Sequence, residues 1–484
     1  MPLSYEAQAL AAILLAVVAL WITEALPLPV TALLGAVACV IAGVAPAKEV
    51  FRPFAEPLVF LFIGSFMLAE AIRVHGLDRR LAYSVLAIPW VGERPQRLLA
   101  AVAVVCAVIS ACISNTATTA MMVAIIMGIL VAIEEAATQE TARQAQRQQP
   151  HTFIPALDPR FGTGLLLCVA FASSIGGLAT PIGTPPNLIG LAFIKNELGI
   201  NVSFFAWCSI GVPVAALLIG FTVILLNWLF PAGVTRLVGV AHFIKNQRTL
   251  CGTWTLGQRS TAVAFGVTIT LWVLPGILSL FLGQQHGVVS WLALRLPEGV
   301  AALVGAILLF VLPGNARPGG GRERALEWPD AARIDWGIIL LYGGGMALGE
   351  LAFSTGLASA IGRSFTSWLP ADTSGITLVT AAAIVAVVTS EFTSNTASAT
   401  MVVPVAIALA QATGGNPFIL ALAATFAASL GFMMPVSTPC NAIVYGTGRV
   451  PLNAMMKSGA ILDLAGAIVI TVAMLGVSRF WSTP

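Results

Sequence analysis

Two copies of one tripeptide, Ser114-Asn115-Thr116 and Ser394-Asn395-Thr396, carry side chains suited to binding. Each supplies two hydroxyls and an amide, groups that donate to an anion's oxygens and also accept from or coordinate a cation. One chance Ser-Asn-Thr in a chain of this length is roughly a one-in-ten event on average residue usage. Here the copies share their surroundings, SNTATTAM and SNTASATM. A second pair follows them, Gly183-Thr184-Pro185-Pro186-Asn187 and Ser437-Thr438-Pro439-Cys440-Asn441. Proline inside an apolar stretch removes a backbone donor and breaks a helix, which frees carbonyl and N–H groups. Freed carbonyls suit a hard cation such as sodium, and Thr184 and Thr438 are placed to reach an anion's carboxylate oxygens.

None of these four segments contains Lys, Arg or His. An anion held there would rest on neutral donors and helix dipoles, and a neighbouring cation would offset its charge in a low-dielectric setting. Sodium coupling is the expectation. Glu391, three residues before Ser394, and Asp463 in the last apolar run are intramembrane acids. Such acids serve as proton relays or as buried hydrogen-bonding groups. HExxH, GxSxG and P-loop patterns are missing, and His75, His151, His242 and His286 lack metal-ligand spacing, so no enzyme and no catalytic residue is expected.

The elements that must position these residues are membrane spans. The 484 residues are 58% hydrophobic and 9% charged, against about 25% charged in a soluble domain. Apolar runs near the length needed to cross the hydrocarbon core recur throughout. In the first half, spans are predicted near 8–25, 30–45, 57–73, 161–194 and 203–230. In the second they fall near 260–281, 299–313, 335–352, 417–447 and 458–478. Between the third and fourth span of each half lies an extra apolar stretch, 98–133 and 374–411, broken at its middle by Ser-Asn-Thr. Each is read as a re-entrant hairpin. The net charge of +3 is small and scattered, which disfavours nucleic acid as a partner. The seven cysteines have no metal-ligand spacing and are read as packing residues.

The halves align in order: Leu61–Leu77 with Leu340–Leu357, the two Ser-Asn-Thr segments, and Pro181–Asn187 with Pro435–Asn441. With five crossings per half, an odd number, the second repeat lies upside down relative to the first, and both hairpin tips and both broken helices meet at mid-membrane. In this layout Lys48, Arg52, Lys195, Arg295, Arg363 and Arg479 share one side and the other eighteen basic residues share the opposite one. The positive-inside rule makes the richer side cytoplasmic and puts both termini outside; replacing each hairpin by a full pair of spans would leave that split unchanged. Trp21, Trp328, Trp336, Trp368 and Trp481 fall near span ends and read as an interfacial belt. The polar segment 134–160 reads as a cytoplasmic loop or short surface helix.

With its paired SNT motifs, IGTPPN, MPVSTPCNAIVYGTG and the early WITEALPLPVTALL of Trp21–Leu34, the sequence resembles the divalent anion/sodium symporter family from about Ala11 onward. The resemblance implies a homodimer that moves di- or tricarboxylates, or sulfate in some branches, with sodium ions, by an elevator motion of a transport part against a scaffold. It implies one sodium site from Ser110, Ser114, Asn115 and Gly183, and a symmetry mate from Ser390, Thr393, Asn395 and Ser437. Ser437 stands where the family pattern has alanine. Substrate carboxylates would meet Ser114, Asn115, Thr116, Thr184, Ser394, Asn395, Thr396, Thr438 and Pro439. Members commonly carry one more helix before the WITEALPL segment.

The resulting expectation is an all-α integral membrane transporter of two inverted repeats, each with five spans and a re-entrant hairpin. Its scaffold comprises 1–96 and 231–372, and its transport parts 97–230 and 373–484. It would sit in a bacterial inner membrane and couple sodium to uptake of a C4 dicarboxylate such as succinate, malate or fumarate, or of a tricarboxylate. Sodium-independent carboxylate exchange, sulfate transport and sodium/proton antiport are the alternatives.

Overall fold

The computed structural model describes residues 3–146, 158–283, 285–316, 321–366 and 374–480. The first half runs through α1 (Tyr5–Thr23), α2 (Leu28–Ile41), the short α3 (Ala47–Val50), α4 (Pro57–Val74) and α5 (Leu77–Leu86). It continues through α6 (Pro95–Ser110), α7 (Asn115–Gln146), α8 (Pro159–Gly176), α9 (Pro185–Leu198) and α10 (Phe204–Leu229). After α11 (Val240–Leu250), the second half comprises α12 (Leu256–Leu282), α13 (Gly287–Arg295), α14 (Glu298–Val311), strands β1 (Pro313–Ala316) and β2 (Arg322–Arg324), and α15 (Trp328–Ala331). Then come α16 (Trp336–Ser354), α17 (Leu357–Thr366), α18 (Gly375–Phe392), α19 (Asn395–Thr413), α20 (Pro417–Ala427), α21 (Pro439–Tyr445) and α22 (Leu452–Phe480).

Ten helices among the described residues are long and apolar enough to cross a bilayer, and α13 with α14, bent by 66°, make an eleventh if taken as one span. The two apolar stretches interrupted by Ser-Asn-Thr resolve into the helix pairs α6–α7 and α18–α19, each broken at the tripeptide. The two proline-containing spans are broken as well. A 3-10 turn (Gly177–Ala179) and an irregular segment separate α8 from α9, and residues 428–438 separate α20 from α21.

Packing repeats between the halves. Helix α4 lies along α14 and α16 lies along α2, while α6 packs on α8 and α18 on α20. Glycine permits the first two contacts: a Cβ on Gly64 would fall 2.6 Å from the backbone of Ala302, and one on Gly344 would fall 2.8 Å from the carbonyl oxygen of Ala32. Such small-residue approach is how spans associate when lipid is as apolar as their side chains. Every residue of α8 from Phe161 to Gly176 is buried, so the broken span stands at the centre of its bundle.

The chain is mostly helical, as expected, with the short antiparallel pair β1–β2 added after α14. Two expectations are corrected. Trp21 is 1% exposed and its indole N–H donates to the Leu28 carbonyl at 3.3 Å, so it is a core residue, whereas Trp328 and Trp336 are exposed as a belt requires. Trp368 and Trp481 lie outside the described residues. The polar segment after Glu134 starts as a continuation of α7 to Gln146, because Gln, Ala, Glu and Arg all favour helix; residues 147–157 lie outside the described residues.

Candidate functional site

The first half of the site begins where α6 stops at Ser110 and α7 starts at Asn115. Ser114 caps α7, its hydroxyl accepting from Ala117 N at 3.2 Å. The N–H groups of Asn115 and Thr116, in the first turn, have no partner within the helix and point out of its positive end. One terminal atom of the Asn115 amide lies 2.7 Å from Ser110 Oγ, 3.1 Å from the Ser173 carbonyl and 3.2 Å from the Gly183 carbonyl. A nitrogen there donates to all three. An oxygen there would accept from the Ser110 hydroxyl and face the two carbonyls, a cluster of four oxygens that a cation would stabilise.

The broken span closes this half. The side chain of Asn187 donates to the carbonyls of Gly177 and Thr180, both at 2.8 Å, and so fixes the non-helical stretch between α8 and α9. Its Oδ1 is buried without a protein partner. Gly183 packs on Gly177 so closely that a Cβ there would sit 2.5 Å from the Gly177 carbonyl oxygen. A side chain at 183 would therefore push the loop off Asn115.

The second half repeats the plan. Ser394 caps α19, accepting from Ala397 N at 3.2 Å, and leaves the N–H groups of Asn395 and Thr396 free of helical partners. Ser390 Oγ lies 2.7 Å from Asn395 Oδ1 and 2.9 Å from the Ala428 carbonyl. Asn441 donates to the carbonyls of Gly431 and Met434 at 2.9 Å each, reproducing the spacing of Asn187, and its Oδ1 is likewise buried without a protein partner. Here Ser437 differs from Gly183. Its hydroxyl reaches the carbonyls of Ser390 at 2.9 Å and Gly431 at 3.1 Å. Thr393 turns its hydroxyl back to donate to the Thr389 carbonyl at 2.7 Å, as a helix threonine does.

Both halves open into one cavity of about 300 Å³. All nine expected substrate residues line it, together with Gly183 and Ser437; Ser110 and Ser390 are buried behind the two asparagines. The cavity also has walls that sequence reading missed: Leu28 and Pro29 from the start of α2, Phe66 from α4, and Asp335, Gly337, Ile338 and Leu341 at and after the start of α16. Leu28 and Pro29 lie in the WITEALPLPVTALL segment and Phe66 and Leu341 in the first repeated segment, but nothing in those patterns marks them as facing the site, because tertiary packing alone brings them there. Asp335 is the only acidic or basic side chain among the lining residues. A second hollow of about 390 Å³, between α1, α16, α17 and α19, is unsuited to an anion. Its lining is apolar apart from Thr400, whose hydroxyl is spent on the Thr396 carbonyl.

Glu391 and Asp463 meet the unwound segment between α20 and α21. The Glu391 carboxylate accepts from Met433 N at 2.8 Å and Met434 N at 3.0 Å, and Asp463 accepts from Phe432 N at 3.4 Å. These acids hold the unwound 432–434 backbone, whose N–H groups would otherwise be buried unpaired. Neither lines the cavity.

Residues 2–483 match the family model described as "Sodium:sulfate symporter transmembrane region". The protein named sodium-dependent dicarboxylate transporter SdcS of Staphylococcus aureus strain bovine RF122 / ET3-1 is 31% identical over 469 residues, 97% of this chain and 85% of that one. Its namesake in strain USA300 is 30% identical over 451 residues, 93% of this chain and 82% of that one. Two solved transporters share the fold. The YdaH transporter of Alcanivorax borkumensis aligns with a TM-score of 0.54 over 90% of this chain and 88% of its own, at 14% identity. MtrF of Neisseria gonorrhoeae aligns with a TM-score of 0.55 over 90% and 84%, at 12% identity.

Proposed function

This chain belongs to the sodium:sulfate symporter family, and we infer from that premise that it is a sodium-coupled transporter of C4 dicarboxylates across the bacterial inner membrane. One observation carries the substrate class. Two capped helix starts, Ser114–Thr116 and Ser394–Thr396, border one cavity, and each has first-turn N–H groups without helical partners. A two-headed anion such as succinate, malate or fumarate can give one carboxylate to each, which a compact anion cannot. Thr184, Thr438 and Pro439 supply the remaining walls. Among the described residues no basic side chain lines the cavity to neutralise two carboxylates, so the compensating charge must travel with the substrate.

Sodium supplies that charge. The ring of Ser110, Ser173, Gly183 and Asn115 oxygens, with Ser114 beside it, is the first cation site; Ser390, Asn395, Thr393 and Ser437 form the second. Filling them places positive charge behind each Ser-Asn-Thr start and raises its pull on a carboxylate. Because the ions and the anion share the asparagines, each binds better when the other is present.

Residues 97–230 and 373–484 move as the transport part against a scaffold of 1–96 and 231–372, in a homodimer of inverted repeats. The cavity is bounded by the starts of α2 and α16, which the distribution of basic residues makes cytoplasmic, with both termini outside. The opposite face is tied shut: Glu350 pairs with Arg52 and accepts from Asn196, and Lys195 lies 3.9 Å from Glu56. The protein thus stands with its site toward the cytoplasm, and uptake requires these outer contacts to part.

The test is uptake of labelled succinate, citrate and sulfate into proteoliposomes, with an inward sodium gradient, without one, and with internal counter-substrate. Succinate uptake that follows the sodium gradient is expected. Uptake indifferent to sodium and driven only by internal dicarboxylate would establish an exchanger instead.

A further inference from the structure

Among the described residues Asp335 is the one charged side chain lining the binding cavity, and its sign is the wrong one for holding an anion. It is the N-cap of α16, accepting from Ile338 N at 3.2 Å, and is exposed at the mouth of the cavity. No ion pair engages it among the described residues; the nearest basic residue in sequence, Arg333, is held by Asp330 at 3.3 Å. The internal repeat supplies a partner. Where Leu61 aligns with Leu340, Gly64 with Gly343 and Met67 with Met346, Glu56 falls on Asp335, and Glu56 is the N-cap of α4. The two scaffold helices therefore begin with equivalent carboxylates. Asp335 lines the open site, while Glu56 is at the closed face beside Lys195 of α9.

We propose that Asp335 and Glu56 are a matched pair of fixed carboxylates that set the charge selectivity of the site, each acting only while the site faces its own side of the membrane. This rests on the alternating-access reading above. The scaffold charge opposes the anion in proportion to the anion's valence and attracts sodium, so cations load first and the anion leaves more readily on the side where the acid is uncovered. Asp335 acts on the face open in this structure. When the site turns outward, α9 carries Lys195 away from Glu56, which then borders the cavity as Asp335 does here. A trianion suffers more than a dianion, which disfavours the fully ionised tricarboxylate.

Asp335→Asn tests this cleanly, because asparagine caps a helix as well as aspartate does and only the charge is removed. In oriented proteoliposomes, the half-saturating succinate concentration at the α16 N-terminal face is expected to fall by about twofold per substrate charge, about fourfold for the dianion. Inhibition by citrate trianion at that face should strengthen by about eightfold. Both gains should shrink as choline chloride raises the ionic strength, Asp335→Glu, which keeps the charge, should show neither gain, and values at the other face should not move. Glu56→Gln should give the mirror image. Equal effects at both faces, no effect at either, or effects indifferent to salt would overturn the proposal. Wild-type succinate transport in the same vesicles reports separately on the transport reading, so the two can fail independently.

Discussion

The two halves of the site share a plan but differ in the loop residue that faces the asparagine, Gly183 in one and Ser437 in the other. Around Asn115 the oxygens of Ser110, Ser173 and Gly183 converge with no hydroxyl hydrogen from the loop among them. Around Asn395 the loop residue is Ser437, whose hydroxyl donates into the equivalent space, to Ser390 and Gly431. Both halves keep the serine–asparagine contact, Ser110 with Asn115 and Ser390 with Asn395, each at 2.7 Å, so a cation entering either half must replace it. The second must in addition give up the bonds of the Ser437 hydroxyl. We expect the two proposed sodium sites to be unequal in affinity although symmetric in position, the first being the tighter.

The largest effect should come from removing the asparagines. Asn115→Ala and Asn395→Ala each remove a group that serves both the ion and the anion, and each is expected to lower transport by at least about a hundredfold while the protein keeps its wild-type elution in size-exclusion chromatography. Normal transport by either variant would detach that half from the site. Next is Gly183→Ala, whose Cβ would meet the Gly177 carbonyl oxygen at 2.5 Å. The loop must move off Asn115, and uptake at low sodium is expected to fall by more than about tenfold, with partial recovery at high sodium. Recovery that needed no added sodium would break the link between this loop and the ion.

Glu391→Gln separates bracing from proton relay. An amide keeps only one acceptor oxygen for Met433 N and Met434 N, so one buried N–H is left unpaired at a cost of about 1–3 kcal/mol, read as a lowered Tm in detergent, while sodium dependence stays as in wild type. A shift of coupling from sodium to protons would contradict the bracing role. The smallest change, Ser437→Gly, bears most directly on the comparison. It makes the second cage resemble the first, and the half-saturating sodium concentration should fall by about threefold with less sigmoidal dependence. A rise instead would show that the hydroxyl is itself a ligand.

Much of this was legible in the sequence, for reasons that can be named. Apolar runs of this length are helical spans because a helix satisfies its own backbone hydrogen bonds in lipid, and the internal repeat pairs Ser114–Thr116 with Ser394–Thr396. Proline located the breaks at Thr184 and Thr438. What escaped was whatever depends on contact between distant segments. Leu28, Phe66 and Asp335 carry no local signal of facing the site. Trp21 is like any span-end tryptophan in sequence and is buried only because α2 and α16 close over it. The turn from α13 into α14 at Leu296-Pro297 could have been suspected from the proline, but its 66° bend could not.

The central claim is that the two Ser-Asn-Thr starts grip the two ends of one dicarboxylate with sodium behind each. A cryo-EM map of the protein in sodium and succinate tests it most directly. Elongated density bridging Ser114–Thr116 and Ser394–Thr396, with ion density enclosed by Ser110, Asn115 and Gly183, is the predicted result. Density that touches only one of the two starts, or that sits elsewhere in the membrane part, would contradict it.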